Sequence, residues 1–308
     1  MRRHDLTDVR GRTTPIAPNS KFDADMAEDK RVLSPSEKTV YQSIVGGTLY
    51  ITRVGRPDNM FGVWYLACGM SQPTEPMLKQ AIHTLRYLKE TQSAKLIYKL
   101  HPGEENILSL ARENYNPLML TGFCDSDHGI AHSVSSNIVM FSGAALMWPS
   151  KKQPTIALSS VEAETAALTS EAQDIEYARD MLDWCGVPIN EATVINCDNR
   201  GAIQNAKHPS FSDRLRHVMR KIFYIREVVE RKAAAVKWIP GDRNPADLGT
   251  KPLGGVAHRL YSEFLLGCPL SKNLSAKFSK LIDPAFRTTS RYTNWRIRKR
   301  PTPGESRE

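Results

Sequence analysis

One long amphipathic segment dominates the hydrophobic pattern of this chain. From Ser159 to Cys185, apolar residues recur every seven positions, and this spacing predicts a helix with one buried face. Ser159 and Glu162 have the spacing of a capping box, which predicts that the helix begins at this point. The apolar stripe consists of Val161, Leu168, Ile175 and Leu182. The interleaved positions of the same stripe are Glu164, Glu171, Ala178 and Cys185.

Two glutamates therefore share the face of the helix that should be buried. An unpaired carboxylate is costly in such an environment. Glu164 is expected either to lie at the edge of the stripe, to pair with an arginine, or to face a metal ion. Glu171 raises the same problem without an equally good explanation, and Glu162 is predicted to lie on the polar face. Further carboxylates from elsewhere in the chain are needed to choose between these readings.

The helix belongs to an alternation of strands and helices that spans residues 115–255. Apolar runs predict strands at 118–124, 138–141, 144–148, 194–197 and 233–241. A turn is predicted at Ser142 and Gly143, and short helices are predicted in GAIQNAKH and around NPADLGTKP. The stretch RLRHVMRKIFYIREVVERK predicts a long helix whose inner face carries Leu215, Met219, Ile222, Ile225 and Val229. This order of elements predicts an α/β domain with a mixed sheet.

The chain before this domain has a different character. Residues 1–34 are polar and predict a poorly ordered lead-in. Residues 35–110 predict a small helical connector of three helices, the first of them capped and then broken or turned at Gly46 and Gly47. One strand is predicted after these helices, at residues 95–100.

Composition adds information about partners and compartment. The formal net charge is +9 and the pI is near 9.3, a balance that favours nucleic acid before a membrane surface. Residues 256–308 predict one helix and a basic, flexible tail that fits either a nucleic-acid contact or simple solvation. No run of about 18 apolar residues occurs, so no membrane partner is expected. The five cysteines are scattered without C-x-x-C spacing, which disfavours disulfides and a zinc site and suits a reducing, intracellular compartment.

Four acidic residues stand out because of where they fall in this pattern. Asp125 ends the first predicted strand, Asp198 ends the strand after the long helix, and Asp247 follows the last strand. Sites in α/β sheets form at strand ends, and Glu164 should lie over the same edge if the first two strands are parallel neighbours. A single strand-end aspartate is more often a turn or cap residue. A set of four suits two Mg²⁺ or Mn²⁺ ions about 3.5–4 Å apart, which hydrolyse phosphodiesters in other proteins.

With its local motifs, this order resembles the ribonuclease H domain of copia-type retrotransposon Pol polyproteins. The motifs are CDSDHG, SKKQPTIALSSVEAET, INCDN, RLRHVMRKIFYIRE and WIPGDRNPADLGTKPL. The upstream stretch from YQSIVGG to LRYLKET resembles the segment that joins the polymerase palm to that domain, so the resemblance covers roughly residues 35–265. It implies a ribonuclease H-like mixed five-stranded sheet flanked by helices and preceded by a small helical connector.

The same resemblance implies an activity. A metal-dependent endonuclease with two Mg²⁺ or Mn²⁺ ions would hydrolyse the RNA strand of RNA–DNA hybrids, recognised through backbone shape and 2′-hydroxyls. Its catalytic residues and metal ligands would be Asp125, Glu164, Asp198 and Asp247. The polymerase and integrase parts of the same polyprotein are the implied protein partners, in the cytoplasm, a virus-like particle or the nucleus.

Several residues are candidates for contact with the hybrid. A basic group on the long amphipathic helix could hold a phosphate backbone, and it consists of Arg214, Arg216, His217 and Lys221. His217 matches a histidine typical of the family. Asn199, next to Asp198, is a further candidate, although a helix N-cap is the favoured reading of that residue.

Departures from the family pattern keep other hypotheses open. His128 stands where the family has a tryptophan, Thr165 stands where it has an aromatic residue, and the loop before Asp247 has no histidine. No Y-x-D-D-like motif occurs, so the polymerase palm is expected to lie outside this chain, and reverse transcription by this chain alone is not expected. One alternative is a catalytically inactive or reused nucleic-acid-binding remnant. Another is an α/β protein that shares only the fold.

Overall fold

The computed structural model describes residues 10–98, 120–127, 133–187, 189–207 and 218–268. The strands in these ranges are β1 (Leu120–Asp127), β2 (Val134–Phe141), β3 (Ala144–Met147), β4 (Ser150–Lys152), β5 (Thr193–Cys197) and β6 (Ala234–Trp238). The α-helices are α1 (Phe22–Asp25), α2 (Pro35–Gly55), α3 (Met60–Cys68), α4 (Glu75–Glu90), α5 (Ser160–Trp184), α6 (Arg200–Lys207), α7 (Met219–Glu230) and α8 (Gly255–Leu265). Short 3₁₀ helices occupy Pro57–Asn59, Gly241–Arg243 and Pro245–Gly249. None of the helices described is long and apolar enough to cross a bilayer.

The strands form one mixed sheet in the order β3–β2–β1–β5–β6. Strand β2 is antiparallel to β1, whereas β5 runs parallel to β1 and β6 runs parallel to β5. The short strand β4 pairs with the first half of β2, and β3 pairs with the second half. The mixed α/β sheet flanked by helices that the sequence predicts is therefore confirmed, with β4 added as a sixth strand.

The turn predicted between β2 and β3 is confirmed. Ser142 and Gly143 have φ values of 49° and 81°, so two successive residues adopt left-handed backbone conformations. A two-residue turn of this kind matches the right-handed twist of the strands that it joins. Gly143 has no Cβ and adopts this conformation without strain.

Helix α5 is the helix predicted from the apolar stripe, and it covers one face of the sheet. The Glu162 N–H donates a hydrogen bond of 3.2 Å to Ser159 Oγ, which fixes the start of the helix. Leu168 and Ile175 are fully buried in the core between α5 and the sheet. The prediction that Glu162 lies on the polar face is wrong, because its side chain is buried. Its Oε2 accepts a 2.7 Å hydrogen bond from the N–H of Leu158, and this contact holds the carboxylate against the preceding loop.

The opposite face of the sheet is covered by α8, by the 3₁₀ helix Pro245–Gly249 and by part of the helical bundle. Phe123 and Ile138 from the sheet share one core with Leu265 and with Met60 of α3. Burying each such side chain contributes about 1.5–3 kcal/mol relative to leaving it exposed. The bundle and the sheet are thus joined by apolar packing.

Helix α7 agrees with its predicted inner face except at its two ends. Ile222 and Ile225 are buried as predicted. At both ends the burial is displaced by one residue: Val218 and Val228 are buried, whereas the predicted Met219 and Val229 are half-buried. Leu215 lies outside the described residues.

Helices α2, α3 and α4 form a bundle with its own core. The predicted break at Gly46 and Gly47 is wrong, because α2 runs without interruption. Both glycines lie on the exposed side of α2, while Tyr41 and Ile44 hold its other side in the bundle core. The predicted strand at 95–100 does not form at residues 95–98, which instead run beside α8, where the Ile97 N–H donates to the Leu266 carbonyl at 2.8 Å.

Residues 10–34 pack on this bundle, in contrast to the poorly ordered lead-in that their polar sequence predicts. Ile16 is 1% exposed and lies in the bundle core. Thr84 Oγ1 donates to the Pro15 carbonyl at 2.8 Å, and the His83 ring nitrogen Nε2 lies 3.0 Å from the Thr14 carbonyl oxygen. The buried apolar residues Ile16 and Leu33, together with side-chain hydrogen bonds from α4, hold this segment in place.

A buried ionic network links the bundle to α8. The Arg56 guanidinium donates two hydrogen bonds to the Asp58 carboxylate, at 2.9 and 2.6 Å. The Tyr87 hydroxyl also donates to Asp58. His258 Nε2 lies 2.9 Å from the Asp58 carbonyl oxygen, which requires that this nitrogen carries the proton. The network satisfies a charge pair that would otherwise be costly to bury.

Candidate metal centre

Four carboxylates approach one another at the ends of the parallel strands. Asp125 lies near the end of β1, and Asp198 directly follows β5. Phe123 pairs with Asn196 in the parallel ladder, so Asp125 and Asp198, each two residues further, reach the same height. Asp247 lies in the 3₁₀ helix that follows β6, and Glu164 enters from the second turn of α5.

Two overlapping groups of possible ligands result from this placement. Carboxylate oxygens of Asp125, Asp198 and Asp247 all lie within 4.8 Å of one another. A second group of atoms within 4.8 Å consists of carboxylate oxygens of Glu164 and Asp198 and the Sγ of Cys197. Asp198 belongs to both groups, so the four acids predicted from the sequence form one continuous cluster.

Glu164 is the most constrained member of this cluster. Its side chain is 6% exposed, and its Oε1 accepts a 3.3 Å hydrogen bond from the Ser126 N–H. Its Oε2 is buried and has no hydrogen-bond partner. Burial, together with the charges of Asp125, Cys197 and Asp198, raises the pKa of Glu164 to about 10. An orphaned oxygen of this kind is the group that a bound cation would satisfy.

Two of the aspartates also have raised pKa values. Burial and the charge of Asp125 raise the pKa of Asp198, and they raise the pKa of Asp247 to about 7. Such shifts are expected where carboxylates are crowded without enough positive charge. Three aspartates and a glutamate are the oxygen ligands that Mg²⁺ and Mn²⁺ prefer, so the residues present fit a hard divalent cation.

Thr250 and Lys251, which follow Asp247 closely in the sequence, complete the cluster. Neither was identified from the sequence. Thr250 Oγ1 donates to Asp125 Oδ2 at 2.5 Å. Lys251 Nζ lies 2.7 Å from Asp247 Oδ1 and 3.8 Å from Asp125 Oδ2. Burial opposes the charge of Lys251, but the carboxylates of Asp125 and Asp247 outweigh this effect and raise its pKa. The ammonium group thus offsets part of the negative charge.

Asn244 fixes the position of the segment that carries Asp247. Its Oδ1 accepts a hydrogen bond from the Ala246 N–H at 3.2 Å, which caps the 3₁₀ helix. Its Nδ2 donates to the Cys124 carbonyl at 2.8 Å, which ties that helix to β1. The only sequence signal for this residue was an asparagine before a proline, a pattern typical of turns.

Of the residues predicted to contact nucleic acid, only Asn199 and Lys221 lie among the described residues. Asn199 Oδ1 accepts a 3.0 Å hydrogen bond from the Ala202 N–H, which agrees with the helix N-cap reading. Lys221 is half-buried on α7. The other three predicted contacts lie outside the described residues, and they are Arg214, Arg216 and His217.

An aromatic and a basic side chain not identified from the sequence lie at the rim of the cluster. Trp238, at the end of β6, is 41% exposed, and its Nε1 donates to the Asp198 carbonyl at 3.0 Å. The guanidinium of Arg200 lies 4.5 Å from the centre of the Trp238 ring. A stacked cation and aromatic ring of this kind present surfaces on which nucleotides stack.

Comparisons with known proteins agree with the motifs in the sequence. No family model matches the chain. The "Retrovirus-related Pol polyprotein from transposon RE1" of Arabidopsis thaliana is 30% identical over 250 residues, which are 81% of this chain and 16% of that protein. The "Retrovirus-related Pol polyprotein from transposon TNT 1-94" of Nicotiana tabacum is 28% identical over 255 residues, which are 82% of this chain and 18% of that protein. The chain thus spans less than a fifth of either relative.

Among solved structures, "Crystal structure of LC11-RNase H1 in complex with RNA/DNA hybrid" has a TM-score of 0.32 and 14% identity, and it covers 41% of this chain and 88% of that chain. A TM-score of this size does not establish a shared fold. The two polyproteins, by contrast, match most of this chain, both the helical bundle and the sheet. Over most of its length, the chain is similar to copia-type retrotransposon Pol polyproteins.

Proposed function

We propose that this chain is a metal-dependent endonuclease that hydrolyses the RNA strand of RNA–DNA hybrids. The observation that carries the proposal is the cluster of Asp125, Asp198 and Asp247, whose carboxylate oxygens lie within 4.8 Å of one another, with the orphaned oxygen of Glu164 beside them. A purely structural role for the cluster would leave the raised pKa values of Glu164, Asp198 and Asp247 without a compensating benefit.

The residues of the cluster would divide the work of hydrolysis. Asp125, Glu164, Asp198 and Asp247 would hold two Mg²⁺ or Mn²⁺ ions. When bound, such ions supply a water nucleophile at neutral pH and stabilise the leaving oxygen of the phosphodiester. The Ser126 N–H orients Glu164, and the Thr250 hydroxyl orients Asp125, so both carboxylates are fixed before a substrate arrives.

Lys251 has a separate role in this proposal. Its ammonium group lies among the aspartates and would compete with an incoming cation for Asp247. Once displaced from the carboxylates, the same group would be positioned to neutralise a phosphate of the substrate. The Trp238 and Arg200 pair at the rim would provide a stacking surface, and the net charge of +9 would favour binding of the polyanion.

The wider context of this activity is also proposed. A hybrid cutter of this family would act inside the cell, in the cytoplasm, a virus-like particle or the nucleus. Its protein partners would be the polymerase and integrase parts of the same polyprotein. A reused nucleic-acid-binding remnant would keep the basic charge and the stacking surface but would not cleave.

The test is cleavage of an end-labelled RNA–DNA hybrid by the full chain in Mg²⁺, in Mn²⁺ and in EDTA. Asp198→Asn should lower the cleavage rate by about a hundredfold or more, because removing one preorganised electrostatic group costs that much in other enzymes. Asp127→Asn is the matched control, since Asp127 is exposed two residues beyond Asp125 and lies outside the cluster. Equal loss in both variants, or cleavage that survives EDTA, would contradict the proposal. A steep salt dependence of hybrid binding without cleavage would support the remnant instead.

A further inference from the structure

We infer that Glu164, Cys197 and Asp198 form a binding site for a thiophilic divalent cation, of the chemical class of Zn²⁺. This site is distinct in chemistry from the group of three aspartates, because it contains sulfur. One carboxylate oxygen from each acid and the Cys197 Sγ lie within 4.8 Å of one another. Small side-chain shifts from this separation would let one ion bind all three atoms with bonds of about 2.0–2.3 Å.

The sulfur of Cys197 is oriented as a metal ligand would be. Cys197 is the last residue of β5 and is fully buried, so its side chain cannot rotate freely into solvent. The N–H of Asn199 points at its Sγ, with a distance of 3.5 Å between nitrogen and sulfur. A backbone donor of this kind stabilises negative charge on sulfur and fixes the direction of its remaining lone pairs.

Glu164 supplies the second, independent observation. Its Oε1 is held by the Ser126 N–H, and this contact leaves Oε2 as a buried acceptor without a partner in the same cluster. A buried oxygen without a donor destabilises the folded chain unless it gains one. A cation that is shared with Cys197 and Asp198 would satisfy it.

The set of donor atoms determines which ion fits. One sulfur and two oxygens from the protein leave a fourth position open, which is the arrangement of catalytic rather than structural zinc sites. Mg²⁺ does not favour sulfur, whereas Zn²⁺ and Cd²⁺ do. The C-x-x-C criterion, by which the sequence disfavours zinc, cannot detect such a site, because the ligands come from one cysteine, the acid next to it and a glutamate on a different element.

The inferred site shares Glu164 and Asp198 with the proposed catalytic centre. A thiophilic cation would therefore exclude the hard cations from part of that centre and inhibit hydrolysis. This consequence rests on the proposed nuclease function, but binding of the thiophilic cation itself does not. Binding replaces the thiol proton of Cys197 by the cation, and the proton is released to solvent.

The experiment measures binding of Cd²⁺ to the full chain through the ultraviolet absorption that a thiolate-to-cadmium bond produces. Cys197→Ser and Glu164→Gln should each weaken Cd²⁺ binding about tenfold or more, as loss of one ligand does in other sites. Cys68→Ser is the control, because Cys68 is a free cysteine at the end of α3 in the helical bundle and does not belong to the cluster. Unchanged absorption in Cys197→Ser would overturn the inference.

A second measurement decides the case if Cys197→Ser does not fold. The unmodified chain, loaded with one equivalent of Zn²⁺, is examined by X-ray absorption at the zinc edge. One sulfur at about 2.3 Å with oxygen ligands at about 2.0–2.2 Å is expected. A shell without sulfur, or with two sulfurs, would overturn the inference. Loss of Cd²⁺ binding alone would leave the nuclease proposal intact, since Mg²⁺-dependent cleavage is assayed separately.

Discussion

At the scale of single residues, Glu171 is the clearest case of a buried carboxyl group that destabilises the fold when it is charged. It is fully buried between α5 and the sheet, and its carboxylate approaches the backbone of Phe123 and Ile138, although neither oxygen makes a hydrogen bond of ordinary geometry. Its Oε1 lies where a side chain at Gly122 would have to be, so the absence of a Cβ at Gly122 makes room for it. Burial, with the nearby Asp174, raises the pKa of Glu171 well above its ordinary value. The folded chain therefore holds this carboxyl group in its neutral form.

We expect Glu171→Gln to flatten the dependence of stability on pH. The raised pKa means that Glu171 costs nothing below its unfolded pKa of about 4.3, and that stability is lost as the pH rises above this value. The free energy of unfolding of the variant, minus that of the unmodified chain, should therefore increase by about 1.4 kcal/mol for each unit of pH from pH 5 to pH 7. Urea unfolding at several pH values measures this. Glu230→Gln, at the exposed end of α7, is the control, and parallel curves for Glu171→Gln would contradict the assignment.

At the scale of elements, local signals predicted the fold where they agreed with tertiary packing. The capping box at Ser34 marks the start of α2, and Glu37 completes it as the sequence pattern suggests. The Gly46 and Gly47 pair predicted a break, but the helix continues. Residues of its buried face pack in the bundle core both before and after the two glycines. Thr48 and Thr52 remain buried beyond the glycines. Packing of one face thus overrides a helix penalty of about 1 kcal/mol for each glycine.

We expect Gly47→Ala to stabilise the chain by about 0.5–1 kcal/mol, because alanine has the higher helix propensity. A Cβ at this position meets nothing within 4 Å, so no steric cost opposes the gain. Gly143→Ala is the matched control, since it has the same open space but a φ of 81°, and this change should destabilise the chain. Thermal unfolding of both variants measures the two effects. A lower stability of Gly47→Ala would mean that α2 is broken there in solution.

The candidate site was accessible to sequence reasoning only in part, for a physical reason. The acids each follow or begin an element with a strong periodic signal, so their positions could be predicted from local patterns. Thr250 meets Asp125 across 125 residues of sequence, and nothing local indicates that contact. Arg200 and Trp238 also meet only because β5 and β6 are neighbours. Residues that support a site come together through tertiary structure, whereas those at strand ends can be recognised beforehand.

At the scale of the whole molecule, the bundle and the sheet share too much buried structure to act as independent parts. Met60 of α3 lies in the core beneath the sheet, and Trp148, after β3, donates to the Thr52 carbonyl of α2 at 2.9 Å. Asp58 accepts hydrogen bonds from the bundle through its carboxylate and from His258 of α8 through its carbonyl oxygen. The helical bundle therefore packs against the sheet that carries the candidate metal centre and helps to stabilise it.

We expect Asp58→Asn to destabilise the bundle and the sheet together. The change leaves the Arg56 guanidinium buried without its counter-ion, and breaking a buried pair in this way costs about 3–5 kcal/mol. Urea unfolding, followed by tryptophan fluorescence and by circular dichroism, should give one transition at a lower urea concentration with both probes. Asp29→Asn is the control, because the pair of Asp29 with Lys30 is exposed to solvent and should contribute little to stability. Two separate transitions, with the sheet unfolding at its original urea concentration, would show that the bundle does not support the site.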